Sequence, residues 1–70
     1  MSVRSLTMEE WNYWQNRFEE LKKNGFTKQK WCDLGHELMK KHNLSEKVAV
    51  KVLHDDYDGA VNIELLEESK

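Results

Sequence analysis

The sequence has no proline, three glycines and a single cysteine, Cys32. With one cysteine no disulfide can close within the chain. The cross-links that staple many small secreted domains are therefore excluded, and a reducing, cytoplasmic setting is expected. No apolar run is long enough to span a bilayer, so no membrane partner is expected. Met1 to Leu6 holds no apolar core of the kind a signal peptide needs. Internal repeats and low-complexity segments are also lacking. Charge of one sign does not dominate, the net charge being −2. Residues 1–42 carry eight Lys/Arg and six Asp/Glu, and residues 43–70 carry three Lys and seven Asp/Glu. A mildly basic first part and an acidic second part argue against a uniformly basic, nucleic-acid-binding surface.

Seventy residues make one domain, 1–70, that buries only about 60% of what its unfolded chain exposes, so its core is thin. What the chain does have is aromatic weight, with three tryptophans. Thr7 followed by Glu10 reads as a capping box, with Leu6 and Trp11 placed as a hydrophobic staple. Trp11, Trp14, Phe18 and Leu21 then recur at helical spacing, and Asn24-Gly25 supplies a stop. The first helix is expected over 8–24. Thr27 caps a second, over 28–42, whose inner face is Trp31, Leu34, Leu38 and His42, flanked by Cys32 and Met39. Gly35 is expected to let another element approach closely. The two stripes predict one core of Trp11, Trp14, Phe18, Trp31, Leu34 and Leu38. Residues 1–6 and 67–70 are expected to fray.

The last third carries two superposed patterns. Val48, Val50 and Val52 alternate with Ala49, Lys51 and Leu53; Val61, Ile63 and Leu65 alternate with Asn62, Glu64 and Leu66. Between them Asp55-Asp56-Tyr57-Asp58-Gly59 has turn chemistry. This predicts strands over 47–54 and 59–66, with Val52 opposite Val61, Val50 opposite Ile63, and Val48 opposite Leu65. The fold class expected is α+β, in the order ααββ. The competing reading is an all-α domain with a third helix from Ser45 through Leu53, since Val48, Ala49, Val52 and Leu53 also share a helical face. The β-branched content favours the hairpin.

Chemistry-bearing residues are few. Cys32 and His36 lie one helical turn apart and, with His42 and His54, are the candidate metal ligands, but no second cysteine or paired ligand set is present. Asp55, Asp56 and Asp58 resemble the start of a calcium loop, yet the twelfth position would be Leu66 where a glutamate is needed. A Cys32–His36 nucleophile lacks a third orienting group and an oxyanion hole. Neither metal nor cofactor is expected, and no enzymatic activity.

The function expected is that of a small regulator or inhibitor acting on another protein. The residues assigned to the partner are Tyr13, exposed on the first helix, and Lys51, Leu53, Asn62, Glu64 and Leu66 on the outer hairpin face. A homodimer through the free edge of Ala60–Leu66 is the other expected association. The alternative is a compact helix-turn-helix-like DNA-binding regulator over 28–54. Its second helix would expose Glu46, Lys47, Lys51 and Asp55, with no Arg, Asn or Gln to read base edges. Lys22, Lys23, Lys28, Lys30, Lys40 and Lys41 are the only basic concentration.

Overall fold

The computed structural model describes residues 2–69, and every regular element among them is helical. A short 3-10 turn, Val3–Ser5, precedes α1 (Met8–Lys23), α2 (Lys28–His42), α3 (Glu46–Leu53) and α4 (Tyr57–Glu68). The first two helices fall where the apolar stripes put them. In α1 the Thr7 hydroxyl accepts from the Glu10 N–H at 3.1 Å, and the Glu10 carboxylate accepts from the Thr7 N–H at 2.9 Å. Gly25 takes a φ of 95° just past the α1 C-terminus, as a left-handed stop requires. In α2 the Thr27 side chain accepts from Lys30 N–H. Asn43, in the left-handed region, ends the helix.

The expected C-terminal hairpin does not form, and the α+β class is replaced by an all-helical one. Residues 47–54 fall in α3 and its C-cap, and residues 59–66 lie inside α4. The cause is local and tertiary together. Ser45 caps α3, accepting from Val48 N–H, and Asp56 caps α4, accepting from Gly59 N–H at 3.0 Å. Asp55 takes the left-handed conformation (φ 58°) between them, which an aspartate tolerates better than most residues. Gly59 therefore sits in the first turn of a helix and not in a hairpin loop. A Cβ there would meet the Asp56 carboxylate at 2.3 Å. The competing third helix, by contrast, has the buried face anticipated for it: Val48, Ala49, Val52 and Leu53. With no strand among the described residues, the proposed dimer through a free strand edge has no edge to use.

Helix α3 is the centre of the packing, touching α1, α2 and α4. The core comprises Val3, Trp14, Leu34, Leu38, Leu44, Val48, Ala49, Val52, Leu53 and Ala60. Of the six aromatic and leucine residues expected to form it, Trp14, Leu34 and Leu38 are buried, whereas Trp11, Phe18 and Trp31 lie partly buried at its margin. Gly35 faces Leu53, with room for a Cβ at 3.9 Å. Of the N-terminal residues expected to fray, Val3–Ser5 form the 3-10 turn. Val3 is fully buried, and its N–H donates to Glu64 Oε2 at 2.7 Å. Arg4 lies against Glu64 Oε1 at 3.4 Å and also pairs with Glu68. At the other end α4 is regular to Glu68; Met1 and Lys70 lie outside the described residues.

Two stability measurements follow. Leu38→Ala should cost about 2–5 kcal/mol, as for fully buried leucines. Phe18→Ala should cost less than the ~3–5 kcal/mol of a buried phenylalanine, because its ring is only partly covered. Urea unfolding of the two variants checks the order. Glu64→Ala leaves the buried Val3 N–H without its acceptor and should cost about 1–3 kcal/mol. A thermal melt unchanged in that variant would refute the role given to Glu64.

Candidate functional site

Two places on the molecule combine shape with chemistry. The first is an apolar groove where the start of α1 meets the start of α4. It is lined by Leu6, Thr7, Met8, Trp11, Asn12 and Tyr57 and has a volume of about 330 Å³. The capping box turns the chain sharply at Thr7, leaving Leu6 on one wall and Met8 at the first helical position. Met8 is 80% exposed and Tyr57 46%. Tyr57 packs edge-on against Trp11, ring centres 5.5 Å apart. The Trp11 indole N–H donates to Asp55 Oδ1 at 2.7 Å, which fixes the ring. Along α4, Tyr57, Val61 and Leu65 recur four apart, and Leu65 is exposed beside partly buried Val61.

The second is a cluster around His42 in the last turn of α2. The Trp14 indole N–H donates to His42 Nε2 at 3.0 Å, with both rings buried. An indole nitrogen only donates, so Nε2 is the unprotonated nitrogen and the neutral ring carries its hydrogen on Nδ1. Nδ1 is buried without a hydrogen-bond partner, 3.9 Å from Glu10 Oε2. Burial holds the His42 pKa below its ordinary value; the nearby Glu10 carboxylate opposes this and Lys41 adds to it. Glu10 is itself held below the usual carboxylate range, chiefly by the Thr7 N–H. This cluster borders a cleft of about 250 Å³ shared with Glu9, Tyr13 and Lys41. It links α1 to α2 through the core, next to the exposed Arg17–Glu37 bidentate pair at 3.0 Å.

The residues assigned to a partner from sequence do not share a surface. Tyr13 is exposed, packs edge-on against Trp14, and its hydroxyl accepts from Arg17 Nη1 at 2.8 Å. Lys51 is ion-paired with Asp56 at 3.4 Å. Asn62 and Leu66 are exposed and, being four apart, share a face of α4. Leu53 and Glu64 are corrections. Leu53 is 1% exposed and belongs to the core, and Glu64 is 7% exposed and holds the N-terminal turn. Alternation put both on an outer sheet face, whereas the helical period turns them inward. The groove residues Met8 and Tyr57 went unassigned; Tyr57 stands among turn-forming aspartates, which mask it as a loop residue. Cys32 and His36 lie together on α2 beside a cleft of about 90 Å³ shared with Met39, Ala49 and Leu53. Among the described residues no three His, Cys, Asp or Glu side chains are grouped to hold a metal, and no helix is long and apolar enough to cross a membrane.

Comparison with protein-family models, with curated proteins and with solved structures gives no significant match to this chain. The functional reading therefore rests on its own geometry.

The His42 cluster generates a pH prediction. Its folded pKa is depressed, so the stability it contributes is fully present above the unfolded value near 6.5 and is lost as pH falls through the lower folded value. Protonation places a hydrogen on Nε2, facing the Trp14 N–H. Melting temperature should fall between about pH 7 and 5, above the range where the depressed carboxylates Glu10, Glu37 and Asp56 titrate. In His42→Phe that slope should flatten. An equal slope in both proteins would assign the acid sensitivity elsewhere.

Proposed function

We propose that this chain is a small, non-enzymatic regulator that acts by binding another protein, and that it does so through the groove at Leu6, Met8, Trp11 and Tyr57. The observation that carries this reading is the exposure of Met8 and Tyr57 together, lining one groove beside an anchored tryptophan. Tryptophan and tyrosine supply large contact area at low entropy cost and dominate binding hot spots. Methionine adapts its shape to what it meets. The groove is open and sits at the small end of what encloses a ligand molecule. It suits side chains presented by a protein surface better than a molecule needing envelopment.

A DNA-binding regulator draws less support, although the all-helical fold supplies helices of the right kind. The short α3 exposes Glu46 and Lys47, and Lys51 is paired with Asp56. From Asp55 to Ser69 there are six carboxylates and no Lys or Arg, which repels a phosphate backbone.

Affinity capture from the cells that make the protein tests the reading. Wild type should retain a discrete partner that the double variant Met8→Ser/Tyr57→Ser loses by at least about tenfold, a hot-spot-sized effect. The variant's melt should stay cooperative. Equal recovery with both proteins would place the interaction away from the groove.

A further inference from the structure

The groove's own lining carries no charge, but carboxylates adjoin two of its lining residues, and their sign bears on what enters. Asp55 binds the Trp11 indole through Oδ1, and Asp58, one residue past Tyr57, is exposed. Around them the second half of the molecule is acidic. Of the six carboxylates between Asp55 and Ser69, Glu64 and Glu68 face Arg4 and Asp56 faces Lys51. Asp55, Asp58 and Glu67 make no salt bridge with any described residue. Arg4 and Lys51 are thus taken up by Glu64, Glu68 and Asp56, while Asp55 and Asp58 have no cationic partner among the described residues.

We infer that the groove receives a cationic amphipathic helical segment of the partner protein. A bulky apolar side chain of that segment seats between Met8, Trp11 and Tyr57, and its Lys or Arg residues face Asp55 and Asp58. Three features on the page select this occupant. The groove is walled by Leu6, Met8, Trp11 and Tyr57, an apolar surface of the kind on which an amphipathic helix lays its apolar face. Tyr57 shares a face of α4 with Val61 and Leu65, each four residues on, a spacing that matches anchors set along a helix and exceeds what a single side chain would cover. The carboxylates beside the groove left without an ion-pair partner among the described residues, Asp55 and Asp58, steer a basic segment in and repel an acidic one. The same sign disfavours a second copy of this chain on this face. A two-fold contact sets each patch against itself and would bring Asp55 and Asp58 towards their own equivalents.

This inference rests on the protein-binding reading above but fails separately from it. The test uses three synthetic 18-residue peptides: one of Leu and Lys in helical amphipathic order, one of Leu and Glu in the same order, and one of Ser and Lys with the same positive charge and no apolar face. The readout is the NMR signal of the Trp11 indole N–H, whose acceptor is Asp55. The Leu/Lys peptide should move that signal with saturation. Its affinity should fall about tenfold in Met8→Ser/Tyr57→Ser and about threefold in Asp55→Asn/Asp58→Asn, which keeps the side-chain acceptor at position 55. Raising salt should weaken binding to wild type more than to the Asp55→Asn/Asp58→Asn protein. Binding of the Leu/Glu peptide as tight as that of the Leu/Lys peptide would overturn the charge assignment and leave an apolar docking site standing. Ser/Lys binding as tight as Leu/Lys, unaffected by Met8→Ser/Tyr57→Ser, would reduce the effect to charge alone and overturn the inference. If no peptide moves the Trp11 signal, the inference fails; the capture result then decides whether the protein-binding reading fails with it.

Discussion

The carboxylate of Glu64 anchors the architecture around the groove. It is buried on the inner side of α4, where an unpaired charge would be costly. It is tolerated because the Val3 N–H and the Arg4 guanidinium come to meet it. That contact draws the first residues of the chain across the end of the helical stack and seats Val3 in the core. It also sets the path of the chain through Leu6 to the capping box at Thr7. One wall of the groove is therefore built by a residue more than fifty positions away in sequence. A thin core gains a further layer from the same contact, with Val3 covering what α4 alone leaves open.

The two candidate sites differ in what holds them. The groove is assembled from residues that cap or begin helices, held by local caps at Thr7 and Asp56 and by the long-range bonds of Asp55 to Trp11 and of Glu64 to Val3. The His42 cluster is assembled across the helix pair and depends on one donor meeting one acceptor inside the core. Its unpartnered Nδ1 faces a carboxylate just beyond hydrogen-bonding distance. A small approach of Glu10 would satisfy that donor. Buried polar pairs of this kind favour one packing arrangement over others when every member is satisfied.

The first two helices were legible because every local signal agreed. The cap at Thr7, the reciprocal Glu10, the aromatic stripe and the glycine stop all specify the same element. The last third was not, because Val48, Val50 and Val52 satisfy the strand period while Val48, Ala49, Val52 and Leu53 satisfy the helical one. What decides between them is packing: α3 lies against three other helices and must present a continuous face to all of them. Two cap signals, Ser45 before Val48 and Asp56 before Gly59, were present in the sequence, but the aspartate-rich stretch is equally good turn chemistry. The groove was hidden for a related reason. Its residues belong to helix starts far apart in sequence, and only the folded N-terminal turn brings Leu6 and Met8 near Tyr57. The placement of Glu64 on an outer face was a direct consequence of reading a period of two where the period is 3.6.

The meeting of Arg4 with Glu64 and Glu68 also closes the path of the chain almost into a ring. The N-terminal turn and α4 lie against one another. A short tether could connect the start of the one to the end of the other, and the exposed Asn24-Gly25 turn could then be opened in its place. Such a circular permutant would keep the ties between the first turn and the last helix, since they would now be near neighbours along the chain. The loop whose closure Val3 and Glu64 now enforce across sixty residues would shrink to the length of the tether, and with it the entropy that opposes seating the N-terminal turn.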